Sequence, residues 1–282
     1  MQSKVPTACG PWHKGVVMMR RLTVVLVMGA AIAAFGQDYK VINVVDGGTI
    51  SGTVKWSGPV PRALEMAVTK DPKICDPDGN KTAPLDRLII GSDAGVANTI
   101  VYLRNLSSGK PFDLPPQKRH LDQKNCRYVP HILLVPVNEK LNMVSSDATL
   151  HTIHMDGAAT YNLPFPFPDQ PTSRTMPAPG LVNLRCNGGH VWMNAEMMVV
   201  RHPYYAVTDE SGRFQLTDVP PGTYQIIAWH EGWNLMGKEQ SFDVLTEKKV
   251  DRPVFSEAKT WEKTVTVGGN QNATINFMIS NR

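Results

Sequence analysis

Short runs of β-branched or alternating residues, each ended by glycine or proline, constrain the fold of this chain more than any other feature. The 282 residues include 22 glycines and 22 prolines, and helical periodicity is hard to find between them. Runs of this kind are typical of strands joined by turns. The sequence therefore predicts an all-β protein. The predicted strands include 49–55, 98–103, 132–137, 141–145, 150–154, 181–185 and 197–200.

The later part of the chain gives more detailed expectations. The proline-rich segment 161–180 is predicted to be an irregular loop, because proline cannot donate to a sheet ladder. A turn at 209–212 predicts a hairpin of the strands on either side of it. A second hairpin is predicted to join 263–267 to 273–279, while the segment 238–261 is left unassigned.

The N-terminal region is typical of a secretory signal peptide. Arg20 and Arg21 precede an apolar run from Leu22 to Ala34, which is short for a membrane span and is followed by small residues. We expect residues 1–36 to be a leader, with translation starting at Met18 or Met19, and the mature protein to be periplasmic or extracellular without a transmembrane span. Retention of the run as a membrane anchor is the alternative.

Charge and motifs exclude several functional classes. The formal net charge is +4, from 29 basic and 25 acidic side chains spread along the chain, which does not favour nucleic-acid binding. The sequence has no Gly-rich phosphate loop, no His-Glu-x-x-His and no Gly-x-Ser-x-Gly. We therefore expect a protein that is not an enzyme.

One short segment combines three side chains that bind copper. Cys186, His190 and Met193 offer a thiolate, an imidazole and a thioether within eight positions, directly after a predicted strand. Such a mixture holds both oxidation states of copper in nearly one geometry. Considered alone, Cys186 would more often be a buried apolar thiol than a metal ligand.

This segment resembles the metal-binding loop of cupredoxins, the plastocyanin and azurin type of copper domain. The resemblance implies a Greek-key β-sandwich, and it implies His151, within Ser146 to His154, as the distant second histidine. Val182 stands where the dinuclear loop of cytochrome oxidase subunit II has another cysteine, so one mononuclear copper is expected. His154 and Trp192 are expected beside the ligands rather than among them.

The segment from Ala206 through Gly212 to Tyr224 resembles the carboxypeptidase regulatory-like, transthyretin-related β-sandwich, over about 203–279. Such modules are usually non-catalytic, so this resemblance implies architecture only. The expected organisation is a leader at 1–36, a cupredoxin-like domain at 38–202 and the smaller sandwich at 203–282.

Three cysteines remain after the leader, so one must stay unpaired or pair between chains. The polar flanks of Cys75 and Cys126 predict a disulfide between them, which leaves Cys186 for the metal. The expected function is electron transfer, alone or as a redox subunit of an envelope complex, with a redox protein as partner. The alternatives are a non-catalytic structural or binding subunit without a functional metal, and a copper chaperone.

Overall fold

The computed structural model describes residues 39–104 and 106–281, and the predicted leader lies outside them. This part contains one short α-helix, α1 (Pro72–Cys75), and a 3-10 turn at Pro116–Lys118. The strands are β1 (Lys40–Val41), β2 (Gly48–Trp56), β3 (Glu65–Ala67), β4 (Thr82–Pro84), β5 (Ile100–Leu103), β6 (Ser108–Gly109), β7 (His120–Lys124), β8 (Arg127–Val129), β9 (Ile132–Pro136), β10 (Lys140–Ser145), β11 (His151–Gly157), β12 (Tyr161–Phe165), β13 (Thr172–Thr175), β14 (Gly180–Arg185), β15 (Asn194–Val200), β16 (Tyr205–Val207), β17 (Arg213–Val219), β18 (Gly222–His230), β19 (Leu235–Phe242), β20 (Lys249–Phe255), β21 (Lys259–Val267), β22 (Asn272–Thr274) and β23 (Phe277–Ile279). The predicted all-β class is confirmed. No described helix is long and apolar enough to cross a membrane.

The middle of the chain forms a first sandwich of two sheets. One sheet has the strand order β13-β10-β7-β8 and the other β12-β11-β14-β15-β9. Their inward side chains follow the two-residue period of a strand: in β10, Leu141 and Met143 are buried while Asn142 and Val144 are partly exposed. These side chains join Ile153 and Met197 of the facing sheet in one hydrophobic core.

A second sandwich takes strands from both ends of the described chain. Its sheets have the orders β16-β5-β18-β21 and β17-β2-β22, with β23 also paired to β2. Because β2 and β5 hydrogen-bond to later strands, this sandwich extends beyond the predicted range 203–282 and takes two strands from 38–202. The first sandwich is thus inserted between β5 and β16. Pairing over such distances leaves no local signal in the sequence.

The two sandwiches pack sheet against sheet. Ile132 of β9 lies against Ile100 and Trp229 in a separate apolar cluster, so the five-stranded sheet is covered on both faces. Beside this contact, Arg87 forms ion pairs with the buried carboxylates of Glu196 and Glu231. Burial raises the pKa of Glu196 from its ordinary value of 4.5 to about 7, despite the opposing effect of Arg87.

Three local predictions were wrong. The segment 161–180 contains β12 and β13, which are edge strands, and edge strands can accommodate proline. The strands flanking the turn at 209–212 pair with β5 and β2 in different sheets and do not form a hairpin. Likewise, β22 and β23 pair in parallel with β2, and β21 pairs with β18.

Candidate metal centre

Strand pairing brings His151 next to the loop that follows Cys186. Strands β11 and β14 are antiparallel with His154 opposite Arg185. His151, three positions before His154, therefore lies beside the residues that come directly after Arg185. The loop 186–193 then returns the chain to β15, which pairs with β14 from the other side. Strand β11 and the loop 186–193, which are distant in sequence, thus place their side chains at the same point.

The three predicted donors His151, Cys186 and His190 meet in the protein interior. One ligand atom from each lies within 4.8 Å of the others, and all three residues have 0% exposure. The two Nδ1 atoms of the histidines are 3.2 Å apart, and Cys186 Sγ is 3.8 Å from His190 Nδ1. The Nδ1 atoms and the sulfur therefore face one common position.

Each imidazole has a carboxylate on its other nitrogen. His151 Nε2 lies 2.9 Å from Asp147 Oδ2, and His190 Nε2 lies 3.0 Å from Asp71 Oδ2. A carboxylate accepts the Nε2–H proton, so Nδ1 is the nitrogen through which each imidazole would bind a metal. Neither aspartate was predicted as part of the site. Asp147 is four positions before His151 and could have been found by that spacing, whereas Asp71 is 119 positions from His190 and has no such signal.

Asp147 is itself held by the backbone. Its Oδ1 accepts the N–H of Asn125 at 2.8 Å and its Oδ2 accepts the N–H of Cys126 at 2.7 Å. Burial alone would raise the pKa of Asp147, but the bonds from His151, Cys126 and Asn125 lower it. These bonds favour the ionised carboxylate and fix its position beside His151.

The surroundings of Cys186 favour the thiolate form of its side chain. Its sulfur accepts the N–H of Gly188 at 3.3 Å and that of Thr152 at 3.5 Å. Burial would raise the pKa of the thiol, but His151 and His190 lower it well below its usual range. In turn, burial would lower the pKa of His151, but Asp147 and Cys186 raise it to about 9.

The other predicted residues lie around this cluster. Met193 is buried in the same core, and its N–H donates to His190 O at 3.0 Å. Its role as an axial ligand remains a prediction. The Trp192 ring packs edge-on against His190, with centroids 5.4 Å apart. His154 is half-buried, and its Nε2 is 3.2 Å from Arg185 Nη2 rather than at the donor cluster.

The predicted disulfide between Cys75 and Cys126 is present and lies against the site. Its sulfur atoms are within 4.8 Å of a ring nitrogen of His190. Cys126 O also accepts the indole N–H of Trp192 at 3.1 Å. Cys186 is the free cysteine of the described residues, as predicted.

The donor set fits copper by its chemistry. One thiolate and two imidazoles, with a thioether nearby in the sequence, are the ligands of blue-copper electron-transfer sites. Both histidines also have the carboxylate partners that metal-binding imidazoles generally have. The cluster contains no carboxylate directed at the common position of the Nδ1 atoms and the sulfur, as a hard cation would require.

Comparison with known proteins gives one family match and several weak structural likenesses. Residues 201–254 match the model of a BOS complex subunit NOMO1-like protein, second beta sandwich domain. This match supports a β-sandwich for that segment and covers 54 of the 282 residues. No curated protein matches the chain.

Among solved structures, the chain is similar to a reduced mutant of amicyanin, with 22% identity over 29% of this chain and 80% of that chain and a TM-score of 0.27. It is similar to a novel purple cupredoxin from Nitrosopumilus maritimus, with 17% identity over 29% and 98% of the two chains and a TM-score of 0.25. A Cu-containing nitrite reductase from Thermus scotoductus matches with 17% identity, 29% of this chain, 22% of that chain and a TM-score of 0.27. Scores this low support no conclusion about function.

Proposed function

We propose that this protein is an exported copper-binding electron-transfer protein, acting alone or as the redox subunit of a larger envelope complex. The observation that carries the proposal is the convergence of His151 Nδ1, His190 Nδ1 and Cys186 Sγ at one buried position. Copper held there would cycle between its two oxidation states. The proposed role involves no chemical reaction of a substrate.

The chain's own residues supply the conditions for such a role. Asp71 and Asp147 orient the two imidazoles through Nε2. The backbone N–H groups of Thr152 and Gly188 hold the sulfur in place. These contacts fix the donor atoms around one position, and preorganised donors favour rapid electron transfer.

Burial distinguishes this proposal from the copper chaperone. A chaperone must release its metal to a partner and therefore needs accessible, exchangeable ligands. Here the three donors have 0% exposure. The family match at 201–254 favours the idea that the protein belongs to a larger assembly. Because of this match, the second candidate function is a purely structural subunit without a metal.

Export is part of the proposal. The disulfide between Cys75 and Cys126 supports it, because disulfides persist in oxidising compartments.

Met193 is proposed as the axial ligand, since it follows His190 by three positions and is buried in the same core.

Redox cycling tests the function. Metal-free protein would be loaded with one equivalent of Cu(II), reduced with ascorbate and reoxidised with ferricyanide over several cycles, with the visible spectrum and bound copper measured each time. Electron transfer predicts a reversible band with the copper retained. Loss of copper to a chelator on reduction would favour the chaperone, and absence of binding would favour the structural subunit.

A further inference from the structure

The hairpin of β19 (Leu235–Phe242) and β20 (Lys249–Phe255) lies between β18 and β21 of the second sandwich and falls mostly in the unassigned segment 238–261. In the described residues it is a two-stranded sheet of its own. Two of its side chains, Val250 and Phe255, pack against the core of the first sandwich, which contains Cys186 and Trp192. A lone two-stranded hairpin is marginally stable, so this packing fixes its position over the first sandwich.

Arg252 of β20 reaches the metal loop. Its side chain is buried, with 7% exposure, and Nη2 donates to Cys186 O at 2.8 Å and lies 3.4 Å from Asn187 Oδ1. Within residues 39–104 and 106–281, no carboxylate lies at ion-pair distance from it. Burying a guanidinium without such a partner costs free energy. The bonds from Arg252 to the loop therefore offset part of that cost.

The turn of the hairpin makes a second set of contacts with the same loop. The N–H of Val244 donates to Asn187 O at 3.0 Å. Asp243, paired with Lys70 at 2.7 Å, lies directly against Gly189. A Cβ at Gly189 would lie 2.7 Å from Asp243 Oδ2, and its φ of +88° is also unfavourable for other residues. The hairpin thus contacts the loop at Cys186, Asn187 and Gly189.

We propose that the β19–β20 hairpin is a clamp that holds the loop 186–190 in its ligand geometry before the metal binds, with Arg252 as the main positioning residue. The proposal deepens the proposed function and rests on it only where copper is concerned. Arg252 acts through the Cys186 carbonyl and not on the metal. Its positive charge near the thiolate also favours the reduced, less positive state of a bound copper ion.

The first test uses metal-free protein, so that it is independent of copper. The rate at which iodoacetamide alkylates Cys186 reports how often the loop opens, because this thiol has 0% exposure. Arg252→Gln is expected to raise the rate at least tenfold, and Arg252→Lys, which keeps a cationic donor, to restore most of the protection. Arg174→Gln is the control, since the Arg174 side chain is exposed and donates to the O of its neighbour Ser173.

A second variant guards against misfolding of Arg252→Gln. Asp243→Ala removes the contact with Lys70 and is also expected to raise the alkylation rate of Cys186. If Arg252→Gln and Asp243→Ala fold but alkylate at the rate of Arg174→Gln, the clamp is refuted, whether or not the protein binds copper.

The second test uses the copper-loaded protein. Arg252→Gln is expected to lower the reduction potential by about 60 mV, which corresponds to a tenfold change in the ratio of reduced to oxidised protein. Arg252→Lys is expected to keep the potential near that of the wild type. An unchanged reduction potential in Arg252→Gln would contradict the electrostatic part of the proposal. A wild-type protein that binds no copper would refute the proposed function, and the alkylation result would then decide on the clamp alone.

Discussion

Replacing Asp147 with asparagine removes one negative charge from the site with almost no change of shape. The carboxylate accepts hydrogen bonds from His151 Nε2 at 2.9 Å, Asn125 N at 2.8 Å and Cys126 N at 2.7 Å. Asparagine has one acceptor oxygen, and its NH₂ group would face an N–H donor. At least one charge-assisted bond is therefore lost, which costs roughly 1.5–3 kcal/mol of stability. Asp147 is 6% exposed, so solvent screening reduces this cost little.

The same substitution is expected to weaken copper binding. Carboxylates that orient a ligating histidine typically contribute 10–100-fold to metal affinity, which is about 1.4–2.7 kcal/mol. Competition with a chromophoric Cu(I) chelator measures the affinity, and urea unfolding of the metal-free protein measures stability. Asp122→Asn is a matched control, because Asp122 bonds to the backbone N–H and hydroxyl of Ser146 and to no imidazole. Equal affinities for the two variants would refute the assigned role of Asp147.

Three further predictions concern the disulfide, the remaining ligands and pH. Cys75→Ser with Cys126→Ser opens a crosslink between residues 51 positions apart and is expected to lower the free energy of unfolding by about 4 kcal/mol; a loss below about 1 kcal/mol in urea unfolding would contradict this. Met193→Leu is expected to retain copper but to shift its reduction potential. His154→Ala is expected to keep the full copper stoichiometry because His154 contacts Arg185, whereas His151→Ala is expected to lose copper affinity. Equal loss of copper in the two histidine variants would show that the wrong imidazole was assigned. The folded-state pKa of Glu196, raised from 4.5 to about 7, means that the folded protein holds this proton more tightly than the unfolded chain. The contribution of Glu196 to stability is therefore expected to fall as pH rises from about 4.5 to about 7, and the difference in thermal stability between the wild type and Glu196→Gln should change by this contribution over that range.

The sequence predicted the features that depend on neighbouring residues. The β-branched run at 132–137 appears as β9, and the run at 141–145 appears within β10. The pairing of Cys75 with Cys126 also followed from local polarity and counting. The strand predictions succeeded because strand propensity and alternation act over short distances, whereas the disulfide followed from counting three cysteines and reading the polarity around two of them.

Most pairings of distant strands and several contacts between distant residues were missed. Nothing around Gly48–Trp56 indicates that β2 pairs with β17, β22 and β23. Asp71 and Arg252 are polar residues in unremarkable surroundings, yet they contact His190 and the Cys186 carbonyl. Three-dimensional packing alone brings them to the site, so periodicity and motif spacing cannot identify them.

The most direct test of the central claim is an optical titration of the metal-free protein and of Cys186→Ser with Cu(II). A thiolate bonded to Cu(II) gives an intense visible absorption, and Cys186 is the free cysteine of the described residues. The wild type is expected to bind one equivalent with such a band, which disappears on reduction, and Cys186→Ser is expected to lack the band and most of the affinity. A wild type that binds no copper, or a Cys186→Ser variant with the same spectrum, would contradict the assignment.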